Sequence, residues 1–276
     1  MADITVDSGL KLPPGFHFTQ TKLQDFIDCP RRFYLKYVLN QQWPAPLTEP
    51  QSRFEERMKL GQRLHQLIER HQLGIRLEQL REGIATEPAI LAWVDTYVAL
   101  LDQLGPFDRH WPEIAVSAAV KAQPLVAKFD LLGLKDDVLV AIDWKTGKLP
   151  PRHTLARRMQ TQVYLCVLGQ QSERLAGQPV RDSQLVYASV ATGETVVFGQ
   201  KAFPLAELEQ RLATVLDAIE SSKYDKVPDE KPCRYCVYRG LCERGITPRV
   251  DVSLLDVDAI WELDDFDVES DTAIEF

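Results

Sequence analysis

The chain lacks the long hydrophobic runs that membrane-spanning helices require. No stretch of about 18 consecutive apolar residues occurs, so the sequence predicts no transmembrane helix and no membrane partner. The first residues, Met1-Ala2-Asp3-Ile4, are not a basic region followed by an apolar one, which argues against a secretory signal. We therefore expect a cytoplasmic protein whose five cysteines are free or bind metal rather than form disulfides.

Repeats and nucleotide-binding loops are missing as well. No internal repeat is visible, and no Gly-x-x-x-x-Gly-Lys-Ser/Thr phosphate loop occurs, because Gly147-Lys148 lacks the upstream glycine. The sequence therefore contains no recognisable ATP-driven motor.

Basic residues are absent from the last part of the chain, which changes the meaning of the net charge. Residues 251–276 contain ten acids and neither Lys nor Arg. The whole chain has 32 basic and 40 acidic residues, a net charge of −8, so residues 1–250 hold 32 basic against 30 acidic residues, a balance of +2. Because residues 1–250 are nearly neutral, the overall net charge does not exclude a nucleic-acid partner.

Two apolar runs with acids near their ends carry the main chemical signal. Val126 to Leu132 and Val138 to Ile142 read as strands joined by a polar turn at Asp136-Asp137. Hairpin pairing would bring Asp130 and Asp143 side by side, and two close carboxylates suit Mg²⁺ or Mn²⁺. Lys145 lies on the same strand face as Asp143, where an ammonium group can act on a metal-bound water or a phosphate. A hairpin with a surface Asp–Lys pair is the alternative.

The flanking segments alternate between helical and strand patterns, which indicates an α/β protein. The N-terminal helix is predicted to begin with a capping box, Thr21 with Gln24, and to run towards Cys29. The further expected elements are helices over Glu55 to Gln72, 75–105, Thr154 to Gly169 and Leu205 to Ile219, and strands over Glu113 to Ala122, Gln184 to Val190 and Thr195 to Gln200.

Three cysteines near the C-terminal end form a second constellation. Cys233, Cys236 and Cys242 have spacings typical of a metal site, but three ligands do not close a tetrahedral structural site. Cys29 or His153 is the candidate for the fourth ligand. Four thiolates suit Zn²⁺ or an iron–sulfur cluster equally. Cys166 lies within an apolar run and is expected to be buried in the core.

Taken together, these residues resemble the RecB-type nucleases of the PD-(D/E)XK superfamily, in the branch that carries an iron–sulfur cluster. CRISPR-associated adaptation nucleases and the nuclease subunits of bacterial double-strand-break repair complexes belong to this branch. The resemblance covers nearly all of residues 19–245. Asp130 matches the first acidic ligand, and Asp143-Trp144-Lys145 matches the acid-x-Lys motif. One departure is Ala127, because relatives often have a glycine shortly before the first acid.

Two helix motifs extend the resemblance. Gly61-x3-His65-x3-Glu69 looks like the family's histidine motif, and Gln160-x3-Tyr164 looks like the motif associated with orienting the lysine and holding DNA. The resemblance implies catalytic roles for Asp130, Asp143, Lys145, Gln160 and Tyr164. It also implies that Mg²⁺ or Mn²⁺ is bound by His65, Asp130, Asp143 and the backbone carbonyl of Trp144.

The cysteines also match the family's pattern. Cys29 followed by Pro30-Arg31-Arg32-Phe33-Tyr34, with the C-terminal triplet, resembles the four-cysteine cluster of this branch. The resemblance implies a 4Fe–4S cluster on Cys29, Cys233, Cys236 and Cys242, with zinc as the alternative occupant. Such a cluster would join segments 19–40 and 228–245 as a structural clasp around the nuclease core.

The resemblance implies a restriction-endonuclease-like core, a mixed sheet flanked by helices, in one domain over residues 1–250 with a helical insertion at about 70–110. It also implies a metal-dependent deoxyribonuclease, an exonuclease on single-stranded DNA in repair, recombination or CRISPR adaptation, with a helicase or another repair or CRISPR protein as partner. The alternatives are a non-catalytic DNA-binding module and a zinc-stabilised scaffold of a repair complex. Basic residues that could line a DNA path are Arg31, Arg32, Arg157 and Arg158, although solvated helix faces are as common.

The acidic segment 251–276 is predicted to be a flexible tail. It also carries apolar residues, so it could cover a basic groove as a DNA mimic or dock on a partner. Its ending, Ile274-Glu275-Phe276, is loosely similar to the acidic tails of bacterial single-strand-binding proteins.

Overall fold

A computed structural model describes residues 12–41, 49–233 and 236–245, with the backbone alone for residues 49–57. In this part of the chain, five strands form one sheet in the order β1-β2-β3-β4-β5. The strands are β1 (Arg109–Val120), β2 (Gln123–Lys135), β3 (Val138–Lys145), β4 (Asp182–Ser189) and β5 (Thr195–Gly199).

Helices precede the sheet, connect its parallel strands and follow it. They are α1 (Gln20–Asp28), α2 (Pro30–Phe33), α3 (Glu49–Gln72), α4 (Leu77–Glu82), α5 (Pro88–Leu104), α6 (Arg152–Leu155), α7 (Met159–Ala176) and α8 (Leu205–Ser221). A π-helical turn at Tyr34–Val38 follows α2, and two short 3-10 turns lie at Lys231–Cys233 and Gly240–Cys242.

The sheet is mixed because its connections differ. β1, β2 and β3 form antiparallel pairs through tight turns. β3 and β4 are parallel, and the chain between them contains α6 and α7, as parallel pairing requires a long crossover. β5 returns antiparallel to β4. The predicted mixed α/β fold is confirmed.

Helices cover both faces of β3, which explains why its apolar run is continuous. Every residue of β3 is buried. Leu139 and Ala141 join a core with α1, α7 and α8, whereas Ile142 and Trp144 join a second core with α3, α4 and α5. A strand buried on both faces loses the polar alternation of a half-exposed strand.

The turn between β2 and β3 determines which acids meet. Asp136 and Asp137 both have positive φ angles, 47° and 60°, as a two-residue hairpin turn requires. The pairing runs back from this turn to Leu131 opposite Ile142. Continuing the register by one residue brings Asp130 next to Asp143, as the hairpin prediction requires.

Several predicted boundaries are wrong. Thr19 caps α1, because its side chain accepts a hydrogen bond from the backbone N–H of Lys22, so Thr21 lies inside the helix. β1 begins at Arg109 and runs through Pro112. The helix predicted from Thr154 is interrupted before Met159, and its second part, α7, continues to Ala176.

Other predictions fall partly or wholly outside the described residues. The acidic tail at 251–276 lies outside them, as do residues 1–11 of the N-terminal segment. Helices α4 and α5 occupy most of the stretch expected to be an insertion, but its role as an insertion and the single domain over 1–250 stay predictions. No helix in the described residues is long and apolar enough to cross a membrane.

We expect Gly133→Ala to destabilise the fold through a clash with Phe107. Gly133 lies in β2, and a methyl group there would sit 2.7 Å from Cγ and 2.8 Å from Cε1 of the Phe107 ring. Overpacking of this kind costs about 1–3 kcal/mol of unfolding free energy. Urea denaturation measures the loss. Gly83→Ala, whose methyl group would meet its nearest neighbour at 3.4 Å, is the control, and equal stabilities of the two variants would contradict the expectation.

Candidate active site

The end of β3 holds a buried network of three polar side chains. Nε2 of Gln160 on α7 donates to Oδ1 of Asp143 at 2.7 Å. Nζ of Lys145 lies 3.0 Å from Oδ2 of the same carboxylate. All three residues are at most 4% exposed. Because water cannot solvate the charges of Asp143 and Lys145 there, each charge is stabilised by the other and by hydrogen bonds. Period-two alternation along β3 explains why Asp143 and Lys145 share a face.

Asp130 on β2 connects this network to the opposite helical layer. Its Oδ2 accepts the backbone N–H of Trp144 at 2.8 Å and lies 3.4 Å from Nδ1 of His65 on α3. The Trp144 ring packs edge-on against Tyr97, at 5.0 Å between ring centroids. The structure thus brings His65 and Asp130 into contact and holds Asp130 against the backbone between Asp143 and Lys145.

Tyr164 on α7 reaches β2 from the face of the sheet opposite to α3. Its hydroxyl donates to the carbonyl of Lys128 at 2.6 Å and accepts from Nε2 of Gln20 at 3.5 Å. Its ring packs on Phe129, at 4.8 Å between centroids. In this structure Tyr164 holds the backbone two residues before Asp130, which is a positioning contact.

One acid of the site is missing from every sequence motif. Among the described residues, the side-chain ligand atoms of His65, Glu113 and Asp130 form the one group of three that lie within 4.8 Å of one another. Glu113 comes from β1 and also pairs with Lys128, with Nζ 2.7 Å from Oε2. Its place opposite Asp130 follows from strand register, which a sequence does not reveal before the pairing is known.

The close charges shift the pKa values of this cluster. Burial alone would lower the pKa of His65, but the carboxylate of Asp130 raises it to about 9. Burial opposes ionisation of Asp130 too, yet the His65 charge, its hydrogen bond and the Trp144 N–H hold the pKa of this carboxyl below its ordinary value. Burial and the neighbouring Asp130 raise the pKa of Glu113.

The cysteines predicted as ligands lie around one cavity. Its lining includes Cys29 at the start of α2 and Cys233, Cys236 and Cys242 near the 3-10 turns. His153, the other candidate for a fourth ligand, is exposed and does not line the cavity. Cys166 is fully buried in the core on α7, as expected.

Cationic side chains surround the same cavity. Its lining also includes Arg32, Lys226, Arg239 and Arg244. Nη1 of Arg244 lies 3.0 Å from Sγ of Cys233. These charges favour thiolates, but burial outweighs them and raises the pKa of Cys236 to about 11 and the pKa of Cys242 above its ordinary value.

The four arginines predicted as DNA contacts have different surroundings. Arg32 makes ion pairs with Asp25 at 2.8 Å and Asp28 at 2.9 Å. The guanidinium of Arg31 lies over the ring of Tyr34 at 5.8 Å. Arg157 is exposed before α7, and Arg158 beside it is partly buried. The charge of Arg32 is therefore already paired with two acids of α1. DNA contacts by these four arginines stay a prediction.

Residues 17–243 match the family described as the PD-(D/E)XK nuclease superfamily. The chain belongs to this superfamily. Its members usually use Mg²⁺ or Mn²⁺, and the mixed five-stranded sheet flanked by helices is consistent with a restriction-endonuclease-like core. No curated protein matches the chain.

Two solved structures are similar to the chain at low identity. SSO0001 is 15% identical, with a TM-score of 0.37 over 84% of this chain and 88% of that one. A protein of Eubacterium rectale named "Putative exonuclease" is 10% identical, with a TM-score of 0.45 over 78% of this chain and 85% of its own.

We expect His65 to make the metal-free protein more stable at low pH than at high pH. Its pKa is raised from 6.5 to about 9 in the folded state, so its stabilisation is complete below 6.5 and lost as pH rises through about 9. Urea unfolding in excess chelator measures this for wild type and His65→Gln. The difference between them should be larger at about pH 6 than at about pH 10. A difference that does not change with pH would contradict this expectation.

Proposed function

We propose that the protein is a metal-dependent deoxyribonuclease that hydrolyses phosphodiester bonds in single-stranded DNA, acting as an exonuclease. The observation that carries this proposal is the buried Asp143–Lys145–Gln160 network beside the His65–Asp130 pair. By resemblance, these residue types at this strand end serve phosphodiester hydrolysis in nucleases of the superfamily that residues 17–243 match. Repair, recombination or CRISPR adaptation, with a helicase or similar partner, is the proposed setting by resemblance.

The ligand set fits a hard divalent cation. Carboxylate oxygens with one imidazole suit Mg²⁺ or Mn²⁺, and the Nδ1 of His65 and Oδ2 of Asp130 already lie 3.4 Å apart. We assign His65, Asp130, Asp143 and the carbonyl of Trp144 as the residues that would hold the ion. A bound ion would supply Lewis acidity and a water of lowered pKa.

The remaining residues of the site either balance charge or hold other groups in position. Lys145 is the buried cation nearest to Asp143, so we assign it to the nucleophilic water and to charge that develops on the phosphate. Gln160 fixes the rotamer of Asp143 through its amide N–H. Tyr164 positions β2 through the carbonyl of Lys128.

We also propose that Cys29, Cys233, Cys236 and Cys242 bind a 4Fe–4S cluster. All four line one cavity, yet among the described residues no three thiols lie within 4.8 Å of one another. The support for the cluster is the resemblance of the cysteine pattern to the iron–sulfur branch, and the spacing of the sulfur atoms does not decide between iron–sulfur and zinc. The role of the cluster would be structural.

We expect wild-type protein to degrade end-labelled single-stranded DNA with Mn²⁺ or Mg²⁺, and Asp143→Asn to be slower by at least about 100-fold, because a ligand is lost. Asp95→Asn, on the exposed side of α5, is the matched control and should keep full activity. Labels at the 5′ or 3′ end report polarity. Circular single-stranded DNA, which has no ends, should resist an exonuclease.

The outcome that would contradict the nuclease proposal is also specific. Folded, iron-loaded wild-type protein that binds single-stranded DNA but cleaves it with neither ion would favour the binding-module alternative. Cleavage of circular DNA would retain the nuclease but remove the exonuclease assignment.

Anaerobically purified protein should contain about four irons per chain and absorb near about 400 nm. Cys29→Ala should lose the iron and unfold at lower urea, because the clasp between the two chain segments is gone. Cys166→Ala is the control and should keep its iron, since Cys166 lies in the core. An iron-free Cys29→Ala protein of unchanged stability would contradict the structural role. Bound zinc without iron in the wild type would contradict the cluster.

A further inference from the structure

Glu113 stands out because it belongs to the site by geometry and to no motif. Its carboxylate lies within 4.8 Å of the ligand atoms of both His65 and Asp130. The nuclease roles proposed above include His65 and Asp130 but assign no role to Glu113.

The strand pairing shows how Glu113 reaches this position. The pairs Pro112–Leu131 and Ile114–Phe129 bracket it, so Glu113 on β1 lies across from Asp130 on β2. Residues directly across an antiparallel pair have neighbouring side chains. The two acids therefore meet because of the register, and the contact is not a chance approach of surface loops.

In both strands, the regular alternation of side chains between the two faces of the sheet is interrupted at this pair. In β1, Trp111 and Ile114 both pack against the core under α7, although two residues lie between them. In β2, Phe129 and Leu132 do the same, while Leu131 packs on the α3 side. Regular alternation allows one residue between neighbours on the same face, so each strand turns two successive residues away from that core. These residues include Glu113, whose φ is +50°, and Asp130.

The charges at this position require a cation. Two carboxylates directly across a strand pair repel each other. In the present structure Lys128 supplies a positive charge to Glu113 at 2.7 Å, and His65 supplies one to Asp130 at 3.4 Å. The Lys128 side chain is 42% exposed, whereas that of Glu113 is 18% exposed. Lys128 can therefore swing into solvent while Glu113 stays in place.

We propose that Glu113 is a further ligand of the divalent cation, together with His65 and Asp130, and that Lys128 holds the Glu113 carboxylate when no ion is bound. This inference rests on the proposed metal-dependent nuclease, since it concerns the same site. Ion binding then exchanges the Lys128 ammonium for the metal at Glu113. The exchange requires only rotation of the Lys128 side chain, because its backbone carbonyl stays bound to Tyr164.

The test is Mn²⁺ binding to DNA-free protein, measured by the electron paramagnetic resonance of free Mn²⁺ and by calorimetry. Glu113→Gln should weaken Mn²⁺ binding by roughly 10-fold or more, as loss of a metal-site group does. Lys128→Gln should tighten it by about 3-fold, because a competing cation is removed. An ordinary structural ion pair would not give effects of opposite sign. Glu207→Gln, which breaks the Arg211 pair on α8, should leave Mn²⁺ affinity unchanged.

The controls separate failure of this inference from failure of the proposed function. If neither wild type nor Asp130→Asn binds Mn²⁺, the metal-dependent function itself is wrong. If wild type binds and Asp130→Asn does not, but Glu113→Gln binds as tightly as wild type, only the role of Glu113 is overturned. Thermal unfolding in chelator checks that each variant is folded. If Glu113→Gln does not fold, Lys128→Gln decides, and unchanged or weaker binding by that variant overturns the inference.

Discussion

Repulsion between neighbouring carboxylates is the constraint around which this site is built. Asp143, Asp130 and Glu113 sit on the adjacent strands β3, β2 and β1, and the register places Glu113 across from Asp130 and Asp130 next to Asp143. Each has its own cation: Lys145 at 3.0 Å, His65 at 3.4 Å and Lys128 at 2.7 Å. Without these partners, buried like charges would oppose folding of the central strands. Under the proposed function, the same arrangement would provide oxygen ligands for a divalent ion that takes over part of the compensation.

The two helical layers contribute different parts of the site, and this division follows from the mixed sheet. α7 crosses one face because the parallel pair β3–β4 needs a long connection, and it brings Gln160 to Asp143. α3 lies on the opposite face and brings His65 to Asp130. Since β3 is buried between both layers, its acid-x-Lys end is held firmly enough to keep Asp143 and Lys145 paired. Residues from the chain before this core, such as Cys29, and residues from the chain after it line the same cavity.

Much of the fold and part of the site could be predicted from sequence because the signals were local. The apolar runs and the Asp136-Asp137 turn define the β2–β3 hairpin, and the hairpin register alone predicts that Asp130 meets Asp143. Glu113 could not be predicted in this way. It lies in a strand that breaks alternation, in a backbone conformation unusual for glutamate, and its neighbours become known only once β1 is aligned with β2. The Thr19 cap was missed because Thr21 also fits a cap pattern two residues later.

The exposed fractions of the side chains indicate the side from which the phosphate of the proposed substrate would reach these residues. The exposed fraction of the side chain falls from 42% for Lys128 to 27% for His65 and about 16–18% for Asp130 and Glu113, then to 5% for Asp143 and 3% for Lys145. A ligand that enters from solvent would therefore meet the Lys128–Glu113 pair before the buried Asp143–Lys145 pair. Because Lys128 carries the outermost positive charge, it is suited to attract an incoming anion. In the proposed exchange, moving Lys128 away from Glu113 would free an oxygen ligand at the time when the phosphate of the proposed substrate arrives.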